Sequence, residues 1–196
     1  TKITEAFQML NESGYLCLDF DFSHLYIRDD RSILFSYSNL LIPVPCGETD
    51  AANRPEILSR GEYPYEFAEP ALVQGKVKYA DLDMQNYSLT AMLFYLMIGR
   101  LPCDGPLLLG FTDNNEVEHE RRFEVYHKNP VFIFDPEDSS NHLGEFAADQ
   151  RTIDLWEELP EEIRNLFIRT LSRKNAERKQ EVKNPSPAEW LKCLEL

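Results

Sequence analysis

Three residues that could do chemistry together stand within six positions of one another. They are Asp19, Asp21 and His24, in the stretch GYLCLDFDFSHLYI from Gly14 to Ile27. Two carboxylates and an imidazole at that spacing are donors a divalent metal could use. A loop carboxylate can also accept a hydrogen bond from a hydroxyl and draw off its proton. The residues alone favour a plainer reading, a solvated loop in which Asp19 has a structural role. Ser36 reads as a strand-end hydroxyl. His119, His127 and His142 fall in a polar stretch without ligand spacing and read as surface residues. Serines and histidines occur without a nucleophile-elbow motif. Cys17, Cys46, Cys103 and Cys193 form no C-x-x-C pair, which argues against a zinc ribbon or a redox dithiol.

Positioning these groups requires a scaffold, and the sequence describes one. Its centre is Gln85 to Pro102, QNYSLTAMLFYLMIGRLP, with a polar entry, an apolar run from Leu89 to Ile98 and a Gly-Arg exit. An apolar run without a polar face predicts a buried helix, ended by Gly99 and Pro102. It is too short to span a bilayer, which needs about 20 apolar residues. Ahead of it, Thr1 to Ser13 is predicted as an amphipathic helix on Ile3, Ala6, Phe7 and Leu10, ended by Gly14. Leu25 to Ile27 and Ser32 to Ser36 are predicted to pair across an Arg28–Arg31 turn as a short β-hairpin. Ile42 to Tyr65 lacks periodicity and is rich in Pro, Gly and charge, so it reads as a long loop.

Beyond the central helix, residues 107–150 form an insert that largely lacks helical period. In it Val131 to Phe134 reads as a short buried strand or extended run. Asp154 to Ser172 gives two helical pieces, the second started by Pro160, with Ile163, Leu166, Phe167, Thr170 and Leu171 on one face. Residues 173–183 are a charged linker. Ser186 to Glu189 is a capping box that opens a last helix with Trp190, Leu191 and Leu194. Trp156 and Trp190 are expected as core anchors.

The whole chain of 196 residues reads as one domain, 1–196, with the insert 107–150 inside it. Its formal net charge of −14 argues against a nucleic-acid surface, which needs a basic stripe. Scattered cysteines point to a reduced, cytoplasmic setting, and no transmembrane run or signal peptide is visible.

The ordered motifs resemble the C-terminal lobe of the protein kinases. The central helix is similar to the family's D-x-x-S-x-G…G-x-x-P. Ser88, Gly99 and Pro102 fit, Gln85 stands at the Asp and Thr90 at the first Gly. Gly14 to Ile27 resembles the catalytic loop H-R-D-x-K-x-x-N. Asp19 falls on the catalytic Asp, Cys17 and Leu18 on His and Arg, Asp21 on the Lys, and His24 on the metal-binding Asn. Ser36 occupies the Asp of the D-F-G segment. Ala68-Glu69-Pro70 resembles a transposed A-P-E, and NPSPAEWL resembles R-P-S-x-x-E-W-L, with Asn184 at the usual Arg. GYLCLDFDFSHLYI, NPVFIFDPEDSSN and LPEEIRNLF are similar to a bacterial branch often encoded beside a metal-dependent Ser/Thr phosphatase and a von Willebrand A-type protein. No G-x-G-x-x-G and no V-A-I-K-type strand is found.

This resemblance implies a mainly α fold: a kinase C-lobe-like helical domain with a short β-hairpin and no N-terminal lobe. It also implies a function. Kinase chemistry depends on metal ions held by hard oxygen ligands, and here His24 and Ser36 replace the usual ones. The expectation is therefore a pseudokinase-like module, regulatory or protein-binding, with Asp19 at the catalytic position but inactive and with no cofactor. The alternative is the C-lobe of a Ser/Thr kinase or ATP-binding phosphotransferase whose N-lobe lies outside this chain, and only that alternative calls for ATP and Mg. A protein partner is expected, with no nucleic acid and no membrane. Self-association is expected through the surface an N-lobe would cover, around Leu25, Ile27, Leu34 and Phe35.

Overall fold

The structure is a computed structural model that describes residues 1–17, 22, 25–35, 41–43, 66–77, 81–108, 120–144, 146–172 and 183–195. The fold is mainly helical with short antiparallel strands, as expected. The chain divides into two compact units. One comprises Thr1–Leu89 with Ser186–Leu196, the other Thr90–Pro185.

The first unit opens with α1 (Lys2–Glu12), which ends at Ser13 and turns at Gly14 with φ +80°. Its buried residues are Thr4 and Phe7, with Ile3, Ala6 and Leu10 half-buried beside them. The hairpin forms as predicted. Strand β2 (Leu25–Ile27) pairs antiparallel with β3 (Ile33–Phe35), placing Tyr26 opposite Leu34. Its turn is held locally: Asp30 Oδ1 accepts from Ser32 N at 2.9 Å and from Ser32 Oγ at 2.6 Å. Those two bonds hold the Asp30 carboxyl below its usual range. Arg31 takes a left-handed φ of 63°, in a turn closed by Arg31 N donating to Arg28 O at 2.8 Å.

A second strand pair was not foreseen. Strand β1 (Tyr15–Cys17) pairs antiparallel with β4 (Leu41–Pro43), Cys17 opposite Leu41. The long-loop reading of 42–65 therefore starts too early by two residues, because Ile42 and Pro43 are strand. Residues 44–65 lie outside the described residues. The last helix, α6 (Pro187–Leu194), packs against α1. Its capping box is made: Ser186 Oγ accepts from Glu189 N at 3.3 Å, and Glu189 Oε2 accepts from Ser186 N at 2.9 Å. Trp190 is fully buried, as is Phe7.

The central helix, α3, runs Leu82–Ile98. It begins ahead of the predicted Gln85 because Asp81 caps it, its Oδ1 accepting from Met84 N at 3.0 Å. It ends as expected at Gly99, with φ +74°. Burial is not uniform around it. Leu89, Ala91, Met92, Leu93 and Phe94 are buried, whereas Tyr95 and Leu96 are 39% and 50% exposed. The prediction of a helix buried on all faces thus fails in its last turn.

The second unit is built on aromatic packing. Phe94 meets Phe132 and Phe167 edge-to-face, each at 5.2 Å, and Phe134 stacks on Trp156 at 4.5 Å. Helices α4 (Gln150–Glu158) and α5 (Glu161–Leu171) supply Trp156 and Phe167. Val131, Phe132 and Ile133 are buried but form no strand; the chain turns at Ile133 and Phe134, with Ile133 N donating to Pro102 O at 2.9 Å. The insert also holds a π-helical turn, Glu124–Lys128, that buries Val125, Tyr126 and His127. His127 is therefore a core residue, and its reading as a surface histidine is corrected. His142 is exposed, as expected, and His119 lies outside the described residues.

Among the described residues, no helix is long and apolar enough to cross a membrane.

Candidate functional site

Asp19, Asp21, His24 and Ser36 lie outside the described residues, so the site is built from what flanks them. The flanks are well specified. Cys17, two positions before Asp19, is buried in β1, and its N–H donates to Gln85 Oε1 at 2.8 Å. Gln85 is fully buried in the first turns of α3, and its Nε2 donates to Asn11 Oδ1 at the end of α1. One neutral amide thus ties helix, strand and central helix together. Glutamine suits the place because it accepts on one side and donates on the other. A carboxylate could only accept, and would carry a charge into a buried position.

Phe22 is held by an aromatic contact. Phe22, between Asp21 and His24 in the sequence, meets Phe67 edge-to-face at 5.2 Å. Phe67 is buried and leads into helix α2 (Pro70–Val73). Glu69 caps that helix: its Oε2 accepts from Ala71 N at 2.9 Å and Leu72 N at 3.1 Å. The Glu-Pro order has a local reason. The capping carboxylate comes first, and proline follows at the first helical position, where its missing N–H costs nothing. The pairing of Cys17 with Leu41 adds a third constraint. It sets the point where the chain leaves for Asp19 beside the point where it returns from Ser36 to Leu40.

A second polar centre lies in the insert. Asn141 is fully buried. Its Nδ2 donates to Val131 O at 2.8 Å and Cys103 O at 3.0 Å, and its Oδ1 accepts from Leu107 N at 3.0 Å. Gly105 lies so close that a Cβ there would stand 2.5 Å from Asn141 O and Oδ1. Nearby, Arg100 Nη1 donates to Asp149 Oδ1 at 2.8 Å. Burial pushes the Asp149 carboxyl up, but bonds from the Gly144 and Phe146 amides and from Arg100 outweigh it and hold it below the usual range. Burial drives the Cys103 thiol up to about 12 and so suppresses its thiolate. Burial also lowers His127 to about 4, which keeps it neutral. None of these groups was singled out as a site by sequence reasoning. Asn141 carried only the faint signal of an Asn closing the DPEDSSN turn.

Among the described residues no group of three or more His, Cys, Asp or Glu side chains is placed to hold a metal ion. The chain matches no protein-family model, and no curated protein matches it.

Proposed function

We propose that this chain is a catalytically inactive, kinase-like module of the bacterial branch it resembles, acting by binding and regulating a protein partner. The observation that carries the reading is a support without its chemistry. Cys17, ahead of Asp19, is held by Gln85, and Phe22, after it, meets Phe67; helix, hairpin and buried helix follow one another in the order the resemblance implies. Yet the sequence offers His24 and Ser36 where metal ligands would be needed. An imidazole and a neutral hydroxyl are poor ligands for Mg²⁺. Asp21 brings negative charge where the family has a phosphate-facing Lys. Asp19 can accept a hydrogen bond from a hydroxyl, but without a metal-clamped nucleotide it has no phosphoryl group to direct. A cytoplasmic setting goes with this reading.

The test is phosphoryl transfer. Incubated with labelled ATP and Mg²⁺ or Mn²⁺, the chain is expected to label neither itself nor a generic protein acceptor. Transfer that disappears in Asp19→Asn would overturn the proposal.

A second reading is favoured by the hairpin. Tyr26, Ile27 and Leu34 are 53%, 76% and 42% exposed, and such apolar side chains suit a covered surface. In this reading the chain is the C-lobe of a kinase or phosphotransferase, and further polypeptide covers the hairpin. Transfer by this chain together with such a segment would favour it.

A further inference from the structure

The second unit contains a cleft of about 180 Å³ whose walls include Arg100, Asp104, Pro106, Leu143, Phe146 and Asp149. It is smaller than the ~300–1,000 Å³ typical of drug-sized ligands, and suits a group no larger than one amino acid. Its charges are unevenly used. Asp149 accepts three hydrogen bonds: one oxygen takes Arg100, and the other takes the amides of Gly144 and Phe146. Arg100 spends only Nη1 on that pair, and its side chain stays 23% exposed. A guanidinium has five N–H donors in a fixed fork, so the edge formed by Nε and Nη2 remains for a ligand. Asp149 fixes the guanidinium in place before any ligand arrives, which lowers the entropic cost of binding. Asp104, on the same cleft, is a second charge, and the Arg100 ion pair is made to Asp149 and not to it. The remaining wall is apolar, and Phe146 is 50% exposed.

A simple anion satisfies Arg100 but meets Asp104 and the chain's net charge of −14. A simple cation satisfies Asp104 but meets Arg100. A small ligand carrying both charges and an apolar body answers all three walls. We propose that this cleft binds a free apolar α-amino acid as its zwitterion, the carboxylate on the open edge of Arg100, the ammonium toward Asp104, and the side chain against Phe146, Leu143 and Pro106. The proposal is independent of the kinase-like reading.

The experiment is a ¹H–¹⁵N titration of the full chain with L-leucine and L-phenylalanine. L-leucinamide, which lacks the carboxylate, and N-acetyl-L-leucine, which lacks the ammonium, are the controls. At least one amino acid is expected to give saturable shifts confined to residues 100–106 and 143–149. Each control should bind at least about tenfold more weakly, the loss expected for one charge-assisted hydrogen bond. Asp104→Asn, a change at a side chain outside the core, should weaken the amino acid about tenfold and tighten N-acetyl-L-leucine, an anion that then no longer meets the Asp104 charge. Phe146→Ala should weaken every probe. No saturable shift with either amino acid would overturn the proposal, as would controls that bind as well as the amino acid.

Discussion

The backbone N–H of Cys17 donates to the side chain of Gln85, 68 positions away, at 2.8 Å in a buried setting. Through this one bond the central helix holds the strand that leads to Asp19. Gln85 also reaches Asn11, so the same amide fixes the end of α1. A neutral side chain that does no chemistry thus joins α1, β1 and α3.

Gln85→Met keeps the volume and removes both polar contacts. It removes the buried acceptor that the Cys17 N–H uses, a penalty of about 1–3 kcal/mol. The expected result is a drop of about 2 kcal/mol in unfolding free energy by urea titration, with broadened or shifted amide resonances for residues 15–17 and 41–43. A neutral substitution would mean that the bond does not bear on this strand pair.

Asn141 closes three hydrogen bonds around a site with no spare room. Asn141→Ala leaves two carbonyls and one amide to find other partners and is expected to destabilise by about 3 kcal/mol. Gly105→Ala drives a methyl into the same residue and should cost about 1–3 kcal/mol. Because the two residues touch, the double variant should cost less than the sum of the single changes.

His127 makes stability depend on pH. Its folded value of about 4 lies below the ordinary 6.5, so the unfolded chain binds the proton more readily. The stabilisation is whole above pH 6.5 and is lost as pH falls toward 4. From pH 7 to pH 5 the loss from this group is about 2 kcal/mol. His127→Phe should flatten the dependence between pH 7 and pH 5, read as unfolding free energy at each pH.

Thiol reactivity should follow burial. Cys193 is half-exposed, whereas Cys17 and Cys103 are buried and Cys103 is pushed up to about 12. In a Cys46→Ser chain, a maleimide reagent is expected to modify Cys193 first. Cys103 should react only at the rate of unfolding, and rapid modification in the native state would contradict the packing around it.

Local signals in the sequence were reliable where neighbours decide the structure. The Arg28–Arg31 turn, the Ser186–Glu189 box and Gly99 each depend on residues within a few positions, and each appears as read. Other relationships are not legible in the sequence, some of them local. Asp81 caps α3 three residues ahead of Met84, outside the apolar run that signals the helix. His127 was misread because its turn bonds i to i+5, with Asn129 N donating to Glu124 O at 3.0 Å, which breaks the 3.6-residue pattern that signals a buried face. The pairing of Tyr15–Cys17 with Leu41–Pro43 joins segments too short to show alternation. Of the candidate site, Asp19, Asp21, His24 and Ser36 are read from the sequence alone, and the structure describes their neighbours Cys17, Phe22 and Leu41.

Under the proposed function the chain does not carry out metal-dependent nucleotide chemistry. The most direct measurement is a thermal-shift titration of the chain with ATP, alone and with Mg²⁺ or Mn²⁺. A ligand that binds only the native state raises Tm by mass action, by about 2.7 kcal/mol of stability at a hundred times its Kd. The account predicts no shift with any combination up to millimolar nucleotide. A metal-dependent rise in Tm would contradict it.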